Sequence, residues 1–369
     1  MVYFHNYQFE KLDIHNPDIA NYYIILIFIF LSMGFIKKCS DPLMPLCRIQ
    51  TDQLKGIAVL MVIVGHLWVH VSLSPIPLIF SGDAVALFLF FSGYGLTISD
   101  KSNQNAIVFF SKRIRRVMIP YWGTTFLILF LDWLLLRKIY SFPDILMTFL
   151  GINLYATTKN IDYVRWYITF ILLWYVLYFF AQFVKKKYNR LFFLFFCAGV
   201  LFLLSYYIFH FGWYQFFAFP LGCAVALKYE WLREIFEKKK GQYMLLGLLS
   251  FAIAITYKLA MFNMRIFTFV DAHIPSIVIS LANELHSILL CIGLLISVVF
   301  FGYKKRYSAF LVFCGGISYE LFLLHGAFLV KYNPIVISTN PVFLTAGFMS
   351  FTFSLILLSY WYQKMISIF

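Results

Sequence analysis

The sequence predicts an all-α membrane protein, a polytopic bundle of about eleven transmembrane helices, from three observations. Hydrophobic residues make up 62% of the 369, aromatic residues 21% and charged residues only 12%, whereas soluble domains carry about 25% charged residues. Apolar runs recur along the chain close to the roughly 20 residues that cross a bilayer core. Lysine and arginine gather in alternate connections between those runs, the pattern that retains loops on the cytoplasmic side.

The runs fall at residues 20–36, 54–74, 80–98, 117–136, 164–184, 190–209, 212–228, 242–261, 276–301, 307–330 and 341–363. The first follows a stretch with one lysine and three acids (Glu10, Asp13, Asp18). A secretory leader is positively charged and ends in a small-residue cleavage site, so this run is expected to remain as an anchor. With the N-terminus outside, the inner loops take Lys37, Lys38, Arg48 and Lys55, then Lys101, Lys112, Arg113, Arg115 and Arg116, and later Lys185 to Lys187 with Arg190. Lys228, Arg233, Lys238 to Lys240, Lys304, Lys305, Arg306 and Lys364 follow, which places 22 of the 30 cations inside and the C-terminus in the cytoplasm. Residues 143–155 read as a partial or re-entrant segment. The expected organisation is an N-terminal segment, residues 1–49, carrying one helix, and one membrane domain over 50–369.

The net charge of +14 does not indicate nucleic-acid binding, because the cations lie in short runs between apolar stretches rather than on a water-facing basic fold. The six cysteines are scattered, with no Cys-x-x-Cys pair and no histidine at zinc-site spacing, so neither a metal site nor a disulfide framework is expected.

Polar residues within the apolar runs carry the chemistry. In "LKGIAVLMVIVGHLWVH", His66 lies about 18 Å into its helix from the basic end. Intramembrane polar groups are costly and ordinarily face a bundle interior or a wet cavity. The eleven residues from Lys55 to His66 turn through about 1100°, some 20° past three full turns, so both share a face, and His70 lies one turn further out. Imidazole exchanges a proton near neutral pH; a packing histidine bonded to a neighbouring helix is the competing reading, and the stronger one for His70. "SGDAVALFLFFSGYGL" brings Gly82, Gly93 and Gly95 for close approach and Asp83 at the helix start. "FFSKRIRRVMIPYW" gathers Lys112, Arg113, Arg115 and Arg116 where phosphates or anionic lipid headgroups would be met. Glu284, His286, Glu320 and His325 are further intramembrane polar groups, with functional and packing readings equally open. Asp162 and Arg165 open a helix beside Trp166 and Tyr167, either an interfacial aromatic belt or a sugar-stacking surface.

In order, "LKGIAVLMVIVGH", "GDAVALFLFFSGYGL", "FFSKRIRRVMIPYW", "RWYITFILL" and "ISYELFLLH" resemble the integral-membrane acyltransferases of acyltransferase family 3, over about residues 50–365. The resemblance implies ten core helices, with the run at 20–36 added before them. It also implies transfer of acetyl from acetyl-CoA to a hydroxyl of a cell-surface polysaccharide or its lipid-linked precursor, such as O-antigen or capsule, at a bacterial inner membrane. His66 is then the catalytic histidine. Lys55 stands where the family carries arginine, which keeps the charge and loses the planar fork. Arg113 and Arg115 match its Arg-x-Arg pair, and these two with Lys55 and Arg116 are expected at the donor phosphates. Glu320 and His325 are expected to orient the base or the acceptor. Acetyl-CoA enters as substrate and no permanently bound cofactor is implied; membrane lipids are partners, and the chain is compatible with a homo-oligomer. A glycan or lipid exporter, or an inactive sensor with an acyl-binding fold, stands as the alternative, although no paired repeat points to a transporter.

Overall fold

A computed structural model describes residues 17–71, 81–99, 105–153, 161–162, 164–184, 186–209, 215–332 and 340–367. Helix α1 (Pro17–Gly34) leads into strand β1 (Ile36–Lys38), then α2 (Arg48–Val71) and α3 (Ser81–Ile98). Helix α4 (Ala106–Arg113) passes through a π-helical turn (Ile114–Met118) into α5 (Ile119–Leu136), and α6 (Phe142–Phe149), α7 (Trp166–Ala181) and α8 (Lys187–Leu204) follow. Next come α9 (Ala218–Leu227), α10 (Tyr229–Lys238), α11 (Lys240–Phe262), α12 (Met264–His273) and α13 (Ser276–Tyr303). Strand β2 (Arg306–Ser308) then precedes α14 (Ala309–Gly316), α15 (Ser318–Val330) and α16 (Pro341–Ile366).

Each of the eleven expected apolar runs contains helix. The number of crossings does not follow from that: among the described residues, five helices are long and apolar enough to span a bilayer, or six if α14 and α15 count as one. The difference has a physical source. The expected run at 307–330 is two helices bent by 73° after Gly316, and α1, α3, α7 and α9 are apolar but short in their described parts. The segment expected at 143–155 begins as α6, where the Ser141 hydroxyl accepts from Asp144 N at 3.3 Å and caps the first turn. Asn105 and Asn340 cap α4 and α16 in the same way, through Ile107 N at 3.1 Å and Val342 N at 2.9 Å.

Helix α2 lies at the centre, touching α3, α13, α14 and α15. Its contact with α14 depends on glycine: a Cβ on Gly56 would stand 2.1 Å from the Leu311 carbonyl oxygen, and one on Gly315 would stand 1.8 Å from that of Asp52. Helices α3 and α9 pack by the same device, with Gly93 against Phe219 O and Gly222 against Phe90 O. Close backbone approach of this kind replaces the hydrophobic driving force that is lost in lipid.

Polar clusters fasten the remaining helices. Asp83 on α3 accepts from Lys258 Nζ of α11 at 2.9 Å and Ser287 Oγ of α13 at 2.6 Å, and lies 3.2 Å from His286 Nδ1. Glu284 accepts from the backbone N–H groups of Gln215 and Phe216 at 2.6 and 3.0 Å, just before α9. Lys331, after α15, donates to Asp132 of α5 at 2.6 Å and to the Tyr140 hydroxyl at 3.1 Å. Strands β1 and β2 pair antiparallel, Lys38 opposite Arg306, and join α1 to the bundle, where it packs on α14 and α16.

Candidate active site

His66 is brought to His325, 259 residues away, with His66 Nδ1 2.8 Å from His325 Nε2 and the two rings parallel within 3°. His325 is fully buried, and its Nδ1 lies 2.6 Å from the Phe322 carbonyl oxygen. A carbonyl only accepts, so His325 Nδ1 carries a proton and neutral His325 offers Nε2 as an acceptor. His66 Nδ1 is therefore the donor, and neutral His66 holds its lone pair on Nε2. One backbone carbonyl thus sets both tautomers, the arrangement in which an imidazole acts as a base through its second nitrogen.

The surroundings fix this pair in place. Phe322 packs its ring against His325 with centroids 5.4 Å apart and against Tyr167 at 5.1 Å. Gly326, next to His325, has Val164 where a Cβ would stand, its nearest methyl carbon 2.5 Å away. The start of α7 is therefore held against α15 at the level of the histidines. There Asp162 and Arg165 form a buried ion pair, Nε to Oδ2 at 2.7 Å, each side chain 1% exposed.

A polar column leads from the histidines toward the basic end. Ser92 of the "FFSG" stretch interacts with the hydroxyls of Tyr167 and Tyr175, and Tyr175 lies in the field of Arg113 and Arg116. Tyr319, at the first turn of α15, donates to Val117 O in the π-turn at 2.8 Å. The π-turn widens the helix where Arg115 and Arg116 leave it, and such turns concentrate at functional positions. Both arginines are exposed, whereas Arg113 turns back, donating to Phe109 O at 2.9 Å with its guanidinium 3.9 Å from the Phe109 ring centroid.

Other residues singled out in the sequence lie elsewhere. Lys55 is on the same helix as His66, eleven residues or about 16 Å nearer the basic end, and pairs with Asp52 at 3.3 Å. Glu320 does not join the histidine pair: its Oε2 accepts from Gln363 of α16 at 3.2 Å. Five residues of helix turn Glu320 about 140° away from His325, which explains the separation. Glu284 and His286 act in the packing clusters described above, and the His70 side chain lies outside the described residues. The Phe322 carbonyl and Tyr175 were not signalled by the sequence, since a backbone acceptor has no residue signature and tyrosines are abundant here, 25 in all; Tyr167 was singled out only as a belt or sugar-stacking aromatic.

Comparison with curated proteins and with solved structures gives no match. The sequence matches the family described as acyltransferase domain, type 3, over residues 48–361, so that α1 and β1 precede the matched region. The chain belongs to the family 3 acyltransferases, and its histidine pair, basic π-turn and connecting column all lie inside the matched region.

Proposed function

We propose that the protein transfers acetyl from acetyl-CoA, taken from the cytoplasm, to a hydroxyl of a cell-surface polysaccharide or its lipid-linked precursor. The observation that carries this reading is the His66–His325 pair, with its tautomers set by the Phe322 carbonyl. A sugar hydroxyl is a weak nucleophile at neutral pH and needs a base within hydrogen-bond reach. His66 Nε2 takes the hydroxyl proton as the oxygen attacks the thioester carbon. The new C–O ester bond forms, the C–S bond breaks, and the proton passes from His66 to the departing thiolate, so that acetyl ester and free CoA leave with no net proton change. The phosphates of CoA are met by Arg115 and Arg116 on the π-turn, with Arg113 and Lys55 contributing positive field. The acyl arm follows the column of Tyr175, Ser92 and Tyr167 toward His66. His325 positions the base and does not itself exchange the reacting proton.

The test is reconstitution of the full chain in nanodiscs with acetyl-labelled CoA and deacylated glycan from the host. Label in an alkali-labile ester on the glycan supports the reading; uptake or flux of glycan with no acyl transfer favours an exporter instead.

A further inference from the structure

Within the described residues, buried side-chain nitrogens that make no hydrogen bond are few, and one belongs to a cation: Arg165 Nη2. The other two nitrogens of that guanidinium are both engaged. Its Nε donates to Asp162 at 2.7 Å, its Nη1 donates to Thr125 Oγ1, and its face lies 4.9 Å from the Tyr121 ring centroid. Tyr121 is itself fixed by Thr148 O at 2.7 Å and by Asn153. The guanidinium is thus held rigidly on three sides while its third nitrogen, Nη2, is left without an acceptor in dry protein, where an unmade hydrogen bond to a charged group is costly.

Its location and charge state narrow what would satisfy it. The contact of Val164 with Gly326 holds the adjoining residues Arg165 and His325 at one level. Arg165 also immediately precedes α7, with half-buried Trp166 beside it, whereas the acidic thiol-ester donor is expected from the arginines beyond the other end of the tyrosine column. The charge of Arg165 is already balanced by Asp162, so a phosphate or carboxylate at Nη2 would bring an unbalanced negative charge into the interior. A neutral oxygen fits.

We propose that Arg165 Nη2 binds the acyl acceptor, donating to a ring hydroxyl of an uncharged sugar beside the one acylated; this rests on the transferase reading above. Asp162 and Thr125 hold the guanidinium, and specificity for a neutral over an anionic sugar follows from the ion pair.

The test uses the full chain in nanodiscs, with quenching of intrinsic tryptophan fluorescence by methyl glucopyranoside and by its carboxylate counterpart, methyl glucopyranosiduronic acid. Saturable binding of the neutral glycoside is expected, with the uronide no tighter. Arg165→Lys keeps a cation beside Asp162 but removes the Nη2 arm, and is expected to weaken neutral-glycoside binding about 10- to 100-fold, the loss of one charged hydrogen bond. The double variant Arg165→Gln with Asp162→Asn, which removes the donor without leaving a buried charge, is expected to show the same loss; melting temperatures identify misfolded preparations. Wild-type affinity in a folded variant, preference for the uronide, or no saturable binding by the wild type overturns the proposal. Acetyl transfer from labelled CoA to host glycan, measured on the same wild-type preparation, separates the two readings: absent transfer fails the transferase reading, whereas intact transfer with unaltered sugar binding in the variants fails this inference alone.

Discussion

Replacing His325 by alanine removes the acceptor of the His66 Nδ1 hydrogen bond at 2.8 Å while leaving His66 itself intact. An unsatisfied buried donor costs about 1–3 kcal/mol, and His66 escapes that cost by rotating or by shifting its proton to Nε2, either of which removes the lone pair from the reacting position. At 1.36 kcal/mol per factor of ten, acetyl transfer is expected to fall about 10- to 100-fold. His325→Gln, whose side-chain oxygen accepts a hydrogen bond, is expected to recover part of that loss, because the acceptor role needs no imidazole. The assay is transfer of labelled acetyl to host glycan in membranes containing equal amounts of each variant. Full activity in His325→Ala would refute the positioning role. A loss as deep as that from removing His66, with no recovery in His325→Gln, would show that His325 takes part in the proton transfer itself.

Other consequences follow from the same geometry. Lys331→Met strands the buried Asp132 carboxylate and is expected to lower stability by about 3–5 kcal/mol. Combining it with Asp132→Leu should recover much of the loss in a thermal-unfolding measurement. Gly222→Ala drives a methyl group into the Phe90 carbonyl at the α3–α9 contact. A loss of about 1–3 kcal/mol is expected from such overpacking, against little effect at Gly199, where nothing lies within 4 Å of an added Cβ.

The helices were legible because apolar runs of near membrane-spanning length recur along the chain, many of them separated by clusters of lysine and arginine. The break at Gly316 was not legible, since "CGGIS" reads equally as a small-residue packing face. The β1–β2 ribbon was hidden for a related reason: Lys37, Lys38 and Arg306 have the composition of ordinary inner-loop cations, and strand pairing between segments 270 residues apart leaves no local mark. In the site, the relation of Lys55 to His66 could be read by helical periodicity because it is local, and both residues lie on α2. The partner of His66 comes from a distant helix, and nothing in "SYELFLLH" distinguishes the role of His325 from that of Glu320. The structure separates them by their neighbours, the Phe322 carbonyl and His66 for one and Gln363 for the other. Arg165 read as an interfacial residue because its depth depends on Val164 meeting Gly326, a contact across the fold.

The central claim is that His66 is the base. Its most direct test is His66→Ala in membranes at wild-type abundance, supplied with acetyl-labelled CoA and deacylated host glycan. Loss of glycan labelling by about 10²- to 10⁴-fold, the usual contribution of a positioned base, is the predicted result; labelling within a few-fold of wild type would contradict the account.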